Sequence, residues 1–425
     1  MSTFFEAYLG ALIVDADLHQ PVVQVNNLLK LLTMKELKGN SIERAVTLAG
    51  ARNAAENYAE ARAKRRLNTR GSKLQGLQWN VPAGRIEDDI PVPCRDIKLA
   101  KDPAAGAEAI RAHVESGLEA FGETVGQRFG GVAGGSIGLG TYSTTGHVVT
   151  FTDPAMAANF SPGMVLEISE DDGTDGAHTK VGSSAAVVSV DVDAGTIVVG
   201  TTAADTVAAN PGSWVNSTSY YFWQDGMFQP GAPTATMLGV SDILPIAAAT
   251  STLAGLVRSS DSRLSGVRLS TTEAGSLTLL RRISKTCSKG QNTSGWRQGR
   301  KRYATVNPMA FEVIAGEVAS QWQTQQAEDA AYGYSYIMVH TACGPVKVVS
   351  EPTCPLGFGR IIDSDGIEMY TPNKKMVDFE GIGPQGMYRA QLADDENSYI
   401  IRPVLYNCTV WNNPAHHGVF PTGLS

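Results

Sequence analysis

His340 and Cys343 stand three residues apart, and Cys354 follows on the next segment. A thiol with an imidazole in reach is the arrangement of a cysteine nucleophile, because the histidine takes the proton that the thiolate must lose. The residues between them, Thr341 and Ala342, complete no known nucleophile signature. The commoner role of an isolated cysteine is a buried structural thiol. The chain has five cysteines, Cys94, Cys287, Cys343, Cys354 and Cys408, an odd number at wide spacings without a CxxC pair. That pattern argues against a disulfide framework or a zinc site and suits reduced thiols in a cytoplasm.

The other polar clusters read as scaffold. His416 and His417 are adjacent, and neighbouring side chains on a strand face opposite ways, which is poor metal geometry. Asp88-Asp89 and Asp394-Asp395 lie in polar stretches and read as solvated pairs. The acidic run Glu170-Asp171-Asp172-Gly173-Thr174-Asp175-Gly176 is oxygen-rich but lacks the spacing and closing glutamate of a calcium loop. The glycine run of residues 130–140 follows a helix, whereas a phosphate cradle needs a strand before it and a helix after it. No HExxH, GxSxG, Walker A or GxGxxG pattern occurs. The expectation is no catalytic, cofactor-binding or metal residues, no cofactor, and a chain that is not an enzyme.

Composition agrees with a structural role. The 425 residues allow two or three domains. Charged residues make up only 18% and there are 44 glycines, a small-residue-rich chain that suits extended, surface-sharing architecture. The formal net charge of −7 disfavours tight nucleic-acid binding, which draws on basic surfaces. The N-terminal stretch lacks the basic region of a signal peptide, and no run of about 18 apolar residues suggests a membrane span.

The elements that would hold these residues follow from periodicity and punctuation. A helix is expected from Asn40, with Glu43 in capping-box position, through a basic end at Arg62, Lys64, Arg65 and Arg66. That end reads as a solvated helix terminus, with phosphate contact as the alternative. Residues 67–99 read as a long β-hairpin turning at Val81-Pro82-Ala83-Gly84-Arg85, with Trp79, Ile90, Val92 and Ile97 along it. Its few apolar residues would need a neighbouring surface. Residues 102–129 form the clearest helix, with Asp102 as N-cap, Pro103 at its first position, and Ile110, Val114, Leu118, Phe121 and Val125 on one face. At 1.5 Å per residue it is about 40 Å long.

Residues 143–226 hold short β-branched runs that predict a small barrel or sandwich, including a hairpin at Asp193-Ala194-Gly195. Further on, a helix is expected over TTEAGSLTLLRRISKTC, capped by Thr271 or Thr272. A strand follows at Tyr303–Val306, then a helix opened by Asn307-Pro308. Strands are expected at YSYIMVH and through GPVKVVSEPTCPLGFGRIIDSDGIEMYT and SYIIRPVLYNCTVW. The irregular order predicts an α+β class.

This order of elements resembles the major capsid proteins of tailed bacteriophages, the Hong Kong 97-type fold shared with herpesvirus shells and encapsulins. TLAGLVRSSDSRLSGVRLS (252–270), KRYATVNPMAFEVI and VVSEPTCPLGFGRII are similar to phage capsid sequences. The resemblance implies an N-terminal arm at 1–66, an E-loop hairpin at 67–99, a P-domain with its spine helix at 100–142, and an inserted β domain at 143–226. It then implies an A-domain at 227–345, P-domain return strands and a loop at 346–398, and a C-terminal strand and tail at 399–425.

The implied function is a structural subunit of an icosahedral head that self-assembles into pentamers and hexamers around double-stranded DNA. It would be assembled in the bacterial host cytoplasm and end in the virion. Implied partners are other copies of the chain, portal, scaffolding and decoration proteins, and non-specifically enclosed DNA, with no membrane. An encapsulin-like compartment shell, or another virion structural protein, is the alternative. Some members of the fold cross-link through a Lys–Asn bond, for which Lys73 and Asn397 would be the candidates, although neither sits in a matching motif. No maturation cleavage is expected, and deletion of residues 70–95 is expected to leave a soluble subunit that cannot close shells. The inserted domain is expected on the outside of the shell.

Overall fold

The structure is a computed structural model. It describes residues 22, 26–39, 41–46, 77–88, 90–93, 103–130, 136–170, 180–200, 211, 214–227, 238–247, 249–250, 252–260, 262–269, 276–290, 302–320, 326–329, 334–341, 344–355, 357–372, 376–379, 391–392, 398–412 and 414–422. The class is α+β, as expected.

The first elements are a one-turn helix α1 (Asn27–Lys30) and strands β1 (Thr33–Glu36), β2 (Ser41–Val46), β3 (Leu77–Pro82), β4 (Gly84–Glu87) and β5 (Ile90–Pro93). Two expectations are corrected here. Ser41–Val46 is a strand and not the start of a helix, because it pairs antiparallel with β3 from Ser41↔Pro82 to Val46↔Leu77. The local capping signal at Asn40 and Glu43 loses to this long-range ladder. The rest of the expected helix, its basic end included, lies outside the described residues. Among the described residues the strands of 67–99 also do not pair with one another. β3 joins β2, β4 joins a late strand at Val404–Asn407, and β5 joins one at Ser398–Ile401. The antiparallel pair is therefore β2–β3, and residues 47–76 between them lie outside the described residues.

Helix α2 (Pro103–Gly130) matches expectation. Its 28 residues make it about 42 Å long. Val114, Leu118, Phe121, Val125 and Phe129 are fully buried, while Arg111, Glu119 and Glu123 are exposed. The buried side chains join the largest core, with Ile86, Ile90, Leu244, Met369, Leu405 and Trp411. Asp102, its expected cap, is outside the described residues.

After α2 come β6 (Gly138–Ser143), β7 (Val148–Phe151), β8 (Val165–Ser169), β9 (Ala185–Asp191), β10 (Thr196–Gly200) and β11 (Ser219–Gln224). They close into one barrel in the order β10-β7-β6-β11-β8-β9. The expected β module is thus a barrel, beginning a few residues earlier than 143. Its core is separate from the rest and built on Tyr142, Phe151, Phe160, Trp214, Tyr220 and Phe222. The hairpin at Asp193-Ala194-Gly195 is present. Asp191 Oδ1 accepts from the Ala194 N–H at 2.9 Å, and Gly195 takes φ +64°.

The remainder opens with α3 (Val240–Ile243) and the short strands β12 (Thr252–Leu253), β13 (Leu256–Val257) and β14 (Val267–Arg268). Then follow α4 (Ser276–Gly290), β15 (Arg302–Val306), α5 (Pro308–Ser320), β16 (Gln326–Asp329), β17 (Tyr334–Thr341) and β18 (Gly344–Ser350). The chain continues through β19 (Phe358–Asp363), β20 (Ile367–Thr371), β21 (Asp378–Phe379), β22 (Gln391–Leu392), β23 (Ser398–Ile401), β24 (Pro403–Trp411) and β25 (Gly418–Pro421). Asn307 opens α5 by accepting from the Met309 N–H at 3.1 Å. Glu317 of α5 caps α4, accepting from the N–H groups of Ser276 and Leu277 at 3.2 and 2.8 Å.

Two sheets organise this half. A seven-stranded sheet runs β14-β25-β19-β15-β18-β17-β16, and a five-stranded one runs β1-β20-β24-β21 with β4 also on β24. The late strands β18, β19 and β25 share a sheet with β15 and β17. Alternation along β19 and β25 explains how they serve both cores. Ile361 and Phe420 face α4 and α5, while Ile362 and Val419 face the core of α2.

Candidate functional site

Of the residues that could form a thiol site, His340 and Cys354 are among the described residues. His340 is exposed on β17, and Cys343 lies outside the described residues. Cys354 is buried, and its Sγ donates to the carbonyls of Phe358 and Thr305 at 3.4 and 3.6 Å. Burial pushes its thiol up to about 11, so it carries almost no thiolate near neutrality. Cys408 is likewise raised to about 11 by burial, and Cys287 is buried. Cys94, Asp89, Asp394, Asp395, Lys73, Asn397 and most of the acidic run after Glu170 lie outside the described residues.

His416 and His417 are not on opposite faces of a strand. His416 ends a 3-10 turn (Pro414–His416), and the two histidines converge on Asp363. His416 Nδ1 is 3.9 Å from the Asp363 carboxylate, and His417 Nδ1 accepts from the Asp363 N–H at 3.1 Å. Among the described residues no group of three or more His, Cys, Asp or Glu could hold a metal ion.

The most concentrated polar chemistry was not visible in the sequence. It lies where the C-terminal end of α2 meets α1, β18, β19 and α3. Arg360, 1% exposed, donates from Nη1 to the Gly130 carbonyl at the helix end, and cationic groups are favourable there. Arg128 and Asp242, both buried, approach to 3.9 Å. The Asp242 carboxylate accepts from the Gly239 N–H at 2.7 Å, and its carbonyl accepts from Arg258 at 2.7 Å. Arg268 clamps the adjoining loop through the carbonyls of Pro245 and Ser265 at 2.6 and 2.9 Å. Desolvation first, and the neighbouring Arg258 second, lower its guanidinium to about 10.

Glu351 completes the junction. It is 1% exposed and accepts from the Leu28 N–H at 3.1 Å, the Thr353 hydroxyl at 3.0 Å and Asn26 Nδ2 at 3.4 Å. Burial raises its carboxyl above the usual range, against the pull of those donors. The one legible signal for this region is the set Gly122, Gly126 and Gly130. Three glycines at helical spacing each cost about 1 kcal/mol relative to alanine, so they suggest close backbone approach.

The second feature is the ribbon β2–β3. Among the described residues it is a two-stranded sheet joined to no other. Its base is anchored, since the Asn80 N–H donates to the Ala254 carbonyl at 2.9 Å and Val81 is buried in the α2 core.

No family model matches the chain, and no curated protein matches it. Among solved structures it is similar to the capsid of cyanophage A-1(L), at 11% identity over 94% of this chain and 92% of that one, with a TM-score of 0.49. It is also similar to the holo-SrpI encapsulin of Synechococcus elongatus, at 8% identity over 93% and 86%, with a TM-score of 0.43. The procapsid of satellite phage P4 aligns at 9% identity over 96% and 90%, with a TM-score of 0.41.

Proposed function

We propose that the chain is a structural shell subunit of the Hong Kong 97-type, the major capsid protein of a tailed double-stranded DNA phage, which assembles into pentamers and hexamers. The ribbon β2–β3 carries this reading. The two strands ladder with no third strand among the described residues, and residues 47–76 lie between them in the sequence. An isolated two-stranded ribbon is marginal in water, and open strand edges pair with other chains. A ribbon with an anchored base is therefore suited to lie across a neighbouring copy as an E-loop. In this reading α2 is the spine that stiffens the plate, α4, β15, α5, β16 and β17 belong to the axial domain, and the barrel stands outside the shell. Obligate interfaces of this kind bury roughly 2,000–5,000 Å².

Deleting residues 70–95 is not a clean test, because Val81, Ile86 and Ile90 are core residues. Replacing residues 47–76 by a short turn keeps the base intact. Negative-stain microscopy of the full chain should show closed polyhedral shells, and the shortened chain should fold but fail to close them. Normal shells from the shortened chain would remove the role given to the ribbon. Shells of the full chain that hold protein cargo in place of DNA would point to a compartment.

A further inference from the structure

The segment from Val22 to Glu36 crosses three elements. Val22, Asn26 and Leu28 lie on α2 at Gly122, Gly126 and Gly130, the three glycines on one face. A Cβ at Gly122 would stand 2.8 Å from Val22 Cα and 3.1 Å from its carbonyl oxygen, a backbone collision. One at Gly126 would strike the Asn26 amide, and one at Gly130 would lie 2.9 Å from Leu28 Cδ1. Next, Asn27 Nδ2 donates to the Ser350 carbonyl at 2.7 Å, and the Asn26 side chain caps α1 by accepting from the Leu29 N–H at 3.1 Å. Finally β1 runs parallel to β20, and Lys35 meets Glu368 at 2.7 Å. The segment then leads into β2 and the ribbon.

Under this segment sits Glu351. Among the described residues its carboxylate makes hydrogen bonds only and no ion pair. Lys30 on the segment, Arg360 on β19 and Cys354 on the following turn all feel its charge. A buried carboxylate without a directly paired cation carries a large desolvation cost. Lifting Asn26 and Leu28 would return it to water.

We propose that Val22 and residues 26–36 belong to a releasable strap, seated in the glycine groove of α2 and latched by Glu351, so that the subunit has a seated and a released state. Raised by burial, the carboxyl binds its proton more tightly when the strap is seated than when it is released. The sign follows from linkage. The seated state is favoured at low pH, fully below the released-state value of about 4.3, and that preference is lost as pH rises through the seated value. The other charged groups at the junction are Asp153 of the barrel turn, whose charge Cys354 feels, Asp242, whose charge Arg360 feels, and Arg128, 3.9 Å from Asp242.

The test is amide hydrogen exchange on the full chain between about pH 5 and 8, corrected for intrinsic exchange. Protection at Leu28 and Leu29 should fall as pH rises, while Val348 in the sheet core stays protected. Glu351→Gln removes the titration and should flatten that dependence. Gly122→Ala should leave the strap unprotected at both ends of the range with Val348 unchanged, which shows release without unfolding. The proposal is overturned if wild-type strap protection does not change with pH, or if Glu351→Gln keeps the wild-type slope. It is equally overturned if Gly122→Ala leaves Leu28 and Leu29 protected, or if they exchange only together with Val348.

Discussion

The backbone N–H of Asp363 donates to Nδ1 of His417 over 3.1 Å, and the His417 ring stands edge-on to Trp411 with 4.5 Å between centroids. Asp363 ends β19 of the seven-stranded sheet, and Trp411 ends β24 of the five-stranded one. His417 therefore ties the two sheets together from the turn that precedes β25. Its ring fits because residue 366 is glycine, where a Cβ would come within 2.9 Å of Nε2.

Replacing His417 by alanine should lower stability by about 2–4 kcal/mol, because it leaves a buried N–H without its acceptor and removes an aromatic edge contact. Gly366→Ala should cost about 1–3 kcal/mol through overpacking of the same ring. Urea unfolding of both variants measures this. A loss below about 0.5 kcal/mol for His417→Ala would mean the tie contributes little.

Alkylation reads the cysteines. With the Cys354 and Cys408 thiols each raised to about 11, iodoacetamide at about pH 8 should label them at least 100-fold more slowly in the native protein than in urea. Cys287, equally buried, should follow. Fast native labelling of Cys354 would contradict its placement and reopen the thiol reading.

What the sequence revealed follows the range of the interactions involved. Helices α2 and α5 were legible because Pro103 and Pro308 mark their starts and apolar residues recur at helical spacing, all of it local. The barrel strands were legible for the same reason. The segment Ser41–Val46 carries a local helix-like signal, whereas Leu77–Pro82, the partner that makes it a strand, is distant in the sequence. The strands of 67–99 were read as one hairpin, yet β4 and β5 pair with residues beyond 397. The junction was the least visible. Glu351 meets Leu28 across 323 residues and Arg360 meets Gly130 across 230, and no spacing rule reaches that far.

The barrel should lose stability apart from the body, since its core is its own. Phe222→Ala removes a ring packed against Phe151, Phe160 and Trp214, and should cost about 3–5 kcal/mol. Gly195→Ala combines a positive φ with a Cβ 2.6 Å from Pro154, and should also destabilise the barrel. Hydrogen exchange should show the loss in β6–β11 while the amides of α2 and β18 keep their protection. Equal loss in α2 would show that the barrel and body unfold as one.

Arg360 offers the sharpest test of the junction. Its guanidinium is buried where α2 ends, and it donates to the Gly130 carbonyl. Burial lowers its pKa, with Cys354, Glu351 and Asp242 working the other way. Arg360→Ala deletes that donor, opens a cavity and removes a buried cation that interacts with Glu351 and Asp242, so a loss of about 3–5 kcal/mol is expected. Arg360→Met fills the space but still orphans the Gly130 carbonyl, so its loss should be smaller, about 1–3 kcal/mol. The difference between the two variants, measured by denaturant unfolding, separates volume from hydrogen bonding. Methionine as damaging as alanine would show that the donor dominates, and methionine without cost would show that the helix end needs no cation there.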